Sequence, residues 1–286
     1  MPVCIVTDSV ASIPADLVES AGIDVVSLYI NDGETNQAEQ DMDVGAFYER
    51  LADMRTLPTS SQPSVESILS AFRDGLDRGC DVLGIFISGD MSGTVQTAHI
   101  AARMLAEERP GGRIELLDSR TNSMAEGYGV LSAAARASAG DSIEECIAAA
   151  SQTLRRTRYL FTPHTLEYLR RGGRIGGASA LIGGLLQIRP ILTVEGGQTQ
   201  TFARVRTQAR ALVEMTRKLS DDASEFGLTN VCVHYISDAE TAQTYARQQV
   251  EPLAGKPVRI IPVSPVVGLH VGPAVGLVYT TKEDWT

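Results

Sequence analysis

Short apolar runs alternate with amphipathic segments along most of the chain. The runs are rich in β-branched residues and almost continuously hydrophobic, which is typical of strands covered on both faces. They lie at residues 3–7, 23–30, 82–87, 114–117, 159–162, 191–194, 231–236 and 258–263. Between them, apolar residues recur at helical spacing and predict helices at residues 43–53, 64–78, 93–108, 124–137, 142–155, 207–221 and 238–250. This alternation predicts an α/β layered fold.

The chain is long enough for two hydrophobic cores, since single cores stop growing near about 250–300 residues and this chain has 286. Ala-rich helical segments give way to an Arg- and Gly-rich stretch near residue 160. We therefore predict an N-terminal α/β domain at residues 1–160 and a C-terminal α/β domain at residues 161–286. Ser142, with Glu145 three residues later, predicts a capping box at the start of the last helix before the boundary.

Composition and charge exclude or disfavour several classes of protein. Apolar residues make up 43% of the chain and charged residues 21%, which excludes global disorder. No stretch approaches the ~18–20 apolar residues of a membrane span, and Asp8 comes too early for a secretory signal, so we expect a soluble cytoplasmic protein. The net charge of −10 disfavours nucleic-acid binding. Charge is nevertheless segregated, because ten arginines and two acidic residues lie between Arg155 and Arg210.

The cysteines do not form a recognisable motif. Cys4, Cys80, Cys146 and Cys232 are far apart, with no Cys-x-x-Cys and no histidine at ligand spacing. This pattern favours buried free thiols over a metal site or a disulfide.

Two hydroxyl-rich segments precede predicted helices. Residues 88–94, Ser-Gly-Asp-Met-Ser-Gly-Thr, follow a predicted strand and gather backbone N–H groups near Ser92, which favours an anion site. The alternative is that Ser92 only caps the helix. The order does not match the Gly-x-Ser-x-Gly elbow of serine hydrolases. Residues 59–64, Thr-Ser-Ser-Gln-Pro-Ser, are either a polar loop or a ligand-binding segment.

Other candidates for chemistry are aspartates at strand ends and one histidine. Asp8 and Asp118 end predicted strands, where α/β folds place ligand-facing loops, although turn and capping roles explain them equally well. His270 lies in an apolar segment with glycines and a proline, which we interpret as a loop that presents the imidazole to a carboxylate or phosphate. The remaining histidines are predicted within a helix (His99), within a strand (His234) and just beyond a strand (His164).

Three arginines surround a glycine pair in residues 170–174, which we call the arginine turn. Arg170, Arg171 and Arg174 flank Gly172 and Gly173 in a chain that is otherwise acidic. There is no Walker lysine and no Gly-x-Gly-x-x-Gly after a strand, so a nucleotide site is disfavoured. A solvated basic turn and a docking site for an acidic partner remain as alternatives.

Taken together, these segments resemble the DegV family of bacterial fatty-acid-binding proteins, the lipid-carrying subunits of fatty acid kinase. The resemblance spans nearly the whole chain and depends on the shared order of several modest motifs. These are Thr7-Asp8-Ser9 with Ile13-Pro14, Ser60-Ser61-Gln62-Pro63-Ser64, Met91-Ser92-Gly93-Thr94, Asp118-Ser119, residues 166–176, residues 185–192 and Gly268-Leu269-His270-Val271-Gly272-Pro273.

The resemblance implies two α/β domains, the N-terminal one with a mostly parallel sheet and the C-terminal one with a mixed sheet, with an acyl-chain site between or beneath them. It implies a binder without cofactor, metal or catalytic residue. The fatty-acid carboxylate would be bound by Ser60, Ser92, Arg206 and His270, with Ser61 as a supporting hydroxyl. Ser60 departs from the threonine of many members. Asp90 departs as well, and we expect its carboxylate to point to solvent because it would otherwise repel the lipid head group.

The resemblance also implies a partner. A separate ATP-dependent kinase subunit would dock on Arg170, Arg171 and Arg174 and convert the bound carboxylate to an acyl phosphate for phospholipid synthesis. We expect a monomer that can touch a membrane surface transiently. Two other classes stay open: a serine hydrolase or acyltransferase using Ser92 and His270, and a regulatory interaction protein using the arginine turn.

Overall fold

A computed structural model describes residues 1–51, 54, 56–181 and 188–285. Contacts within the chain group it into two compact units. The first unit comprises Met1–Asp41 and Thr59–Arg155, and the second comprises Met42–Pro58 and Arg156–Thr286. The domain limits given above, 1–160 and 161–286, stay a prediction. Part of the motif at residues 185–192 lies outside the described residues.

The described residues contain three sheets. Their strands in chain order are β1 Val3–Asp8, β2 Asp24–Val26, β3 Tyr29–Asn31, β4 Asn36–Ala38, β5 Thr59–Ser61, β6 Asp81–Phe86, β7 Ile114–Asp118, β8 Thr157–Pro163, β9 Arg189–Glu195, β10 Gln198–Val205, β11 Leu228–Ile236, β12 Arg259–Pro262 and β13 Ala274–Thr281. The α-helices are α1 Ala15–Ala21, α2 Val44–Leu51, α3 Val65–Asp77, α4 Thr94–Glu108, α5 Ser123–Ser138, α6 Ile143–Arg155, α7 Glu167–Arg171, α8 Gln208–Phe226, α9 Ala239–Tyr245, α10 Glu251–Ala254 and α11 Pro265–Val271. The α/β fold class is confirmed.

The first unit is built on a parallel sheet with the strand order β2-β1-β6-β7. Alternate residues of its central strands point to opposite faces. Ile5, Leu83 and Ile85 pack against α5 and α6, whereas Val82 and Phe86 pack against α3 and α4. Both faces are therefore covered, as the continuous apolar runs predict.

The order of the parallel strands changes direction between β1 and β6. β1 leads through α1 to β2 on one side, and β6, on the other side of β1, leads through α4 to β7. In open α/β sheets, ligands bind outside the carboxyl ends of the strands at such a point. Asp8, at the end of β1, and residues 87–93, after β6, lie there.

The predicted strand at residues 23–30 is wrong as a single element. β2 belongs to the parallel sheet, whereas β3 belongs to a separate antiparallel sheet with the order β4-β3-β5. Ser27 and Leu28 separate the two strands. The small sheet positions Ser60 opposite Ile30.

The second unit has a six-stranded mixed sheet with the order β10-β9-β8-β13-β11-β12. One face packs on α8 and α9, and this core contains Leu160, Ile191, Leu212, Met215, Leu219, Val233, Tyr245, Val275 and Leu277. The segment at residues 238–250, predicted as one helix, divides into α9, a π-helical turn at Ala246–Val250 and then α10.

The capping box in the first unit is confirmed, since the Ser142 N–H donates to Glu145 Oε2 at 2.8 Å.

The prediction of four free thiols is wrong for one pair. Cys4 and Cys80 form a disulfide, with Cα atoms 5.7 Å apart. Cys4 lies on β1, Cys80 directly precedes β6, and these strands are neighbours. The separation of 76 residues hides this proximity in the sequence. Cys146 and Cys232 are buried and form no disulfide in the described part of the chain.

None of the described helices is long and apolar enough to cross a membrane.

Candidate functional site

The loop at residues 88–93, which we call the Ser92 loop, turns tightly at the carboxyl end of β6. The N–H groups of Met91 and Ser92 donate to the Ser88 carbonyl at 3.0 and 3.1 Å. Gly93, not Ser92, is the N-cap residue of α4, and it provides no side-chain cap. The Ser92 hydroxyl instead shares a 2.9 Å hydrogen bond with the Thr94 hydroxyl. Ser92 is therefore not the N-cap residue, but its Oγ accepts a hydrogen bond at 3.4 Å from the N–H of Thr94, the first residue of α4. The hydroxyl lies beside the helix N-terminus, which favours anions.

Two aspartates hold the backbone around this loop. Asp8 Oδ2 accepts a hydrogen bond from the Ile87 N–H at 2.8 Å, and its Oδ1 accepts from the Val10 N–H at 3.1 Å. Asp118 Oδ2 accepts from the Gly89 N–H at 3.2 Å. These contacts give both carboxylates the turn-stabilising role that the sequence left open.

Asp8 belongs to a group of buried acids. Burial raises its pKa to about 7, although hydrogen bonds from the Ile87 and Val10 backbone oppose the shift, and the nearby Glu39 carboxylate adds to it. Burial also raises the pKa of Glu126, with a further contribution from Asp8. Glu126 Oε1 accepts from the Thr7 hydroxyl, whereas Oε2 has no hydrogen-bond partner among the described residues. The end of β1 therefore favours protonated carboxyl groups.

Asp90 is neutralised by a cation that the sequence did not single out. Its Oδ2 accepts a hydrogen bond from Arg120 Nη2 at 2.8 Å, and Arg120 Nη1 lies 3.6 Å from Asp118 Oδ2. The side chain of Asp90 is partly exposed, at 37%. This ion pair directs the carboxylate towards Arg120, which reduces the repulsion that we expected from an acidic residue two positions before Ser92.

Gln62 connects the second hydroxyl segment to the Ser92 loop. Ser60 is half-buried and Ser61 is exposed on β5, directly before Gln62. Gln62 Nε2 donates to the Thr97 hydroxyl at 2.8 Å, and a Cβ at Gly93 would lie only 2.3 Å from Gln62 Oε1. The amide therefore packs directly on the backbone of Gly93, so β5 and the start of α4 are fixed to each other.

In the second unit, His270 lies in the last turn of α11 rather than in a loop, so that prediction is wrong. Ser264 caps α11 by accepting from the Val267 N–H at 3.2 Å, and Pro265 occupies the first turn, where its missing N–H costs no hydrogen bond. Burial, with a contribution from the Arg174 charge, lowers the pKa of His270 to about 4. The imidazole is therefore neutral at pH 7 and can donate from only one nitrogen.

Arg206 lies in the bend between β10 and α8, next to the α8 N-cap residue Thr207. Its side chain is exposed, and no hydrogen-bond or ion-pair partner is found for it within the described ranges.

The arginine turn spans the end of α7 and the bend that follows. Arg170 Nη2 lies 2.7 Å and Arg171 Nε 2.6 Å from Glu167 Oε1, and these pairs lower the pKa of Glu167 to about 2. Arg174 Nη1 donates to the Gly172 carbonyl at 2.6 Å. The side chains of Arg170 and Arg171 are 53% and 56% exposed. One acid therefore faces two exposed cations, which leaves the turn with a net positive charge.

The residues predicted to bind the carboxylate are divided between the units. Ser60, Ser61 and Ser92 belong to the first unit, whereas Arg206 and His270 belong to the second. Their common role stays a prediction. Within the described ranges, no group of three or more His, Cys, Asp or Glu side chains could hold a metal ion.

Comparison with known proteins identifies the family. Residues 2–282 match the sequence model of the DegV family, described as a family of uncharacterised proteins. The chain belongs to the DegV family. It is 42% identical over 285 residues to a DegV domain-containing protein of Clostridium acetobutylicum, covering 99% of each chain.

Solved structures of DegV proteins share this architecture. A fatty-acid-binding DegV family protein from Thermus thermophilus matches with a TM-score of 0.87 and 30% identity over 98% of this chain and 100% of the other. A stearic-acid-binding protein from Eubacterium ventriosum matches with a TM-score of 0.89 and 25% identity over 97% and 98% of the two chains. The fold with one parallel and one mixed sheet is thus shared with DegV proteins that bind fatty acid.

Proposed function

We propose that this DegV protein is a cytoplasmic, monomeric carrier that binds one long-chain fatty acid and presents its carboxylate to a separate ATP-dependent kinase subunit. The observation that carries the proposal is the similarity, over nearly the whole chain, to a fatty-acid-binding DegV family protein and to a stearic-acid-binding protein. Membership of a fold alone would not be sufficient, because one fold serves many functions. The chemistry of the described residues adds support.

The carboxylate-binding residues in this proposal are Ser60, Ser61, Ser92, Arg206 and His270. Each offers a hydrogen-bond donor, and the N-terminus of α4 adds a favourable dipole beside Ser92. Arg206 supplies a positive charge that no described acid neutralises. Charge-assisted hydrogen bonds to a carboxylate are about twice as strong as neutral ones.

The acyl tail supplies most of the binding free energy in this account. A C16 chain buries about 14 methylene groups at ~0.8 kcal/mol each, or roughly 11 kcal/mol before the costs of association and ordering. A single hydrogen bond to the head group contributes about 0.5–3 kcal/mol. The polar residues therefore set mainly the orientation of the lipid and the exposure of its carboxylate.

The kinase partner is proposed to dock on Arg170, Arg171 and Arg174 and to transfer phosphate from ATP to the carboxylate. The acyl phosphate would then feed phospholipid synthesis. Support for docking comes from the exposure of the Arg170 and Arg171 side chains, for which Glu167 is the one ion-pair partner among the described residues. Arginine is enriched at interaction hot spots and suits an acidic partner surface.

A reconstituted reaction tests this role. The purified protein, loaded with palmitate, is mixed with a kinase subunit of the fatty acid kinase type and ATP, and acyl phosphate is trapped as the hydroxamate. We expect product only when carrier, kinase and ATP are all present. Equal product without the carrier would exclude the presenting role.

The same preparation tests the hydrolase alternative. The Ser92 hydroxyl is hydrogen-bonded to Thr94, which cannot act as a general base, and the nucleophile elbow is absent. We therefore expect no turnover of p-nitrophenyl esters. Turnover that disappears in Ser92→Ala would favour the hydrolase.

A further inference from the structure

Gly172 has no conformational reason to be a glycine. It follows α7 with φ −73° and ψ −11°, a right-handed conformation that any residue adopts. Glycine is required here for steric reasons, because a Cβ at this position would lie 2.3 Å from His270 Nδ1. Such a distance is far shorter than a normal van der Waals contact. The imidazole thus occupies the volume that a side chain at Gly172 would need.

A second contact of the same kind connects the same two elements. Gly272, just beyond α11, lies against the ring of Tyr168 on α7, and a Cβ there would lie 2.3 Å from Tyr168 Cδ2. Here the backbone also requires glycine, since φ is +71°. One aromatic ring from each element therefore packs on a glycine of the other.

The arginine turn is part of this arrangement. Arg174 donates to the carbonyl of Gly172 at 2.6 Å, which fixes the bend that follows α7. Arg170 and Arg171 lie in the last turn of α7, directly before Gly172. The residues that carry the exposed positive charge are thus continuous with the residue that contacts His270.

We infer that Gly172 is a positioning residue for His270, so that the conformation of the arginine turn determines the position of the imidazole. A displacement of the turn by an acidic protein surface moves His270 directly, without a longer pathway. The importance of this coupling for the lipid head group rests on the proposed function. The coupling itself does not.

Gly172→Ala tests the inference, with Gly173→Ala as the matched control. At Gly173 an added Cβ meets no atom within 4 Å, but φ is +72°, so alanine strains the backbone without touching His270. NMR spectra of the imidazole nitrogens follow His270 through a pH titration, and His270→Ala assigns its signals. We expect Gly172→Ala to shift these signals and the titration midpoint, while Gly173→Ala lowers the melting temperature and leaves both unchanged. Unchanged His270 signals and midpoint in Gly172→Ala would overturn the inference.

A double-mutant cycle covers the case in which Gly172→Ala is too unstable for NMR. In a His270→Ala background the imidazole is gone, so Gly172→Ala should lower the melting temperature much less than in the wild type. An equal loss in both backgrounds would overturn the inference. These readouts do not involve lipid. If the protein binds no fatty acid but the cycle shows coupling, the proposed function fails and the positioning role of Gly172 stands.

Discussion

Asp8 accepts a hydrogen bond from the backbone N–H of Ile87, 2.8 Å away, and thereby joins the ends of the two central strands of the parallel sheet. The Ser92 loop begins at the next residue. A side chain that is fully buried and close to Glu39 thus fixes the backbone from which the proposed head-group site projects.

Asp8→Asn should change how stability depends on pH. The pKa of Asp8 is raised from 3.8 to about 7 in the folded state, so the folded protein binds more protons than the unfolded chain in this window. Asp8 therefore contributes up to about 4 kcal/mol to the free energy of unfolding below about pH 4. This contribution is lost as the pH rises towards 7. We expect Asp8→Asn to flatten the fall in the free energy of unfolding between pH 5 and 7, measured by urea denaturation. The exposed Asp74→Asn is the control, and the same slope in Asp8→Asn and wild type would contradict the account.

Ser92→Ala should weaken lipid binding only modestly. One head-group hydrogen bond is worth about 0.5–3 kcal/mol, against roughly 11 kcal/mol for the tail, so palmitate affinity should fall between about 2-fold and on the order of 100-fold, as measured with the delipidated protein. Acyl-phosphate formation should fall further than affinity. Without the Ser92 hydroxyl the tail stays bound, but the carboxylate is no longer oriented for phosphorylation. The matched control is Ser70→Ala at an exposed position of α3. Equal affinity and equal phosphorylation in Ser92→Ala and wild type would place the carboxylate elsewhere.

Lipid binding should raise the pKa of His270. Burial and the Arg174 charge hold this pKa at about 4. A carboxylate within hydrogen-bond distance favours the protonated imidazole, so the titration midpoint should move upwards when palmitate is added. NMR titration of the ring nitrogens measures this shift, and the ring signals of the exposed His99 on α4 should not move. A midpoint that does not respond to saturating palmitate would show that His270 does not contact the head group.

Reversal of Arg170 and Arg171 to glutamate should impair the kinase step and leave lipid content unchanged. Interfacial arginines often contribute about 2 kcal/mol or more, so half-saturation of the kinase by the carrier should require at least about 30-fold more protein. Arg217→Glu is the matched control, because Arg217 is 58% exposed on α8 and also pairs with two acids of its own helix. Added salt should weaken the wild-type coupling. Unchanged kinetics after the double reversal would place the docking surface elsewhere.

Continuous hydrophobicity predicted most of the strands, including the edge strands β7 and β12, but it missed the polar strands β4, β5 and β10. The central strand β13 was also missed, although it is buried along its whole length. β10 reads Gln-Thr-Gln-Thr over its first residues because it is the edge strand of the mixed sheet, where only one neighbour pairs with it. β5 is three residues long and polar, and only its pairing with β3 defines it. The missed helix α11 is apolar except for His270, with Pro265 in its first turn and six of its seven residues buried, so no amphipathic period is visible.

The contacts that support the predicted site residues could not be read from the sequence. The sequence singled out Ser92 and His270 by their local context, but the contacts of Gln62 with Gly93 and of Gly172 with His270 join residues about 30 and 100 positions apart. No local pattern marks such pairs. The sequence analysis did not identify the pairing of Arg170 and Arg171 with Glu167, which lies one helical turn before them.

The most direct test of the central claim is organic extraction of the freshly purified protein, followed by mass spectrometry of the extract. The account predicts about one long-chain fatty acid per chain, and recovery of the same lipid from the exposed-residue control Arg217→Glu. Absence of any fatty acid from the extract, together with failure of the protein to bind added palmitate or oleate, would contradict it.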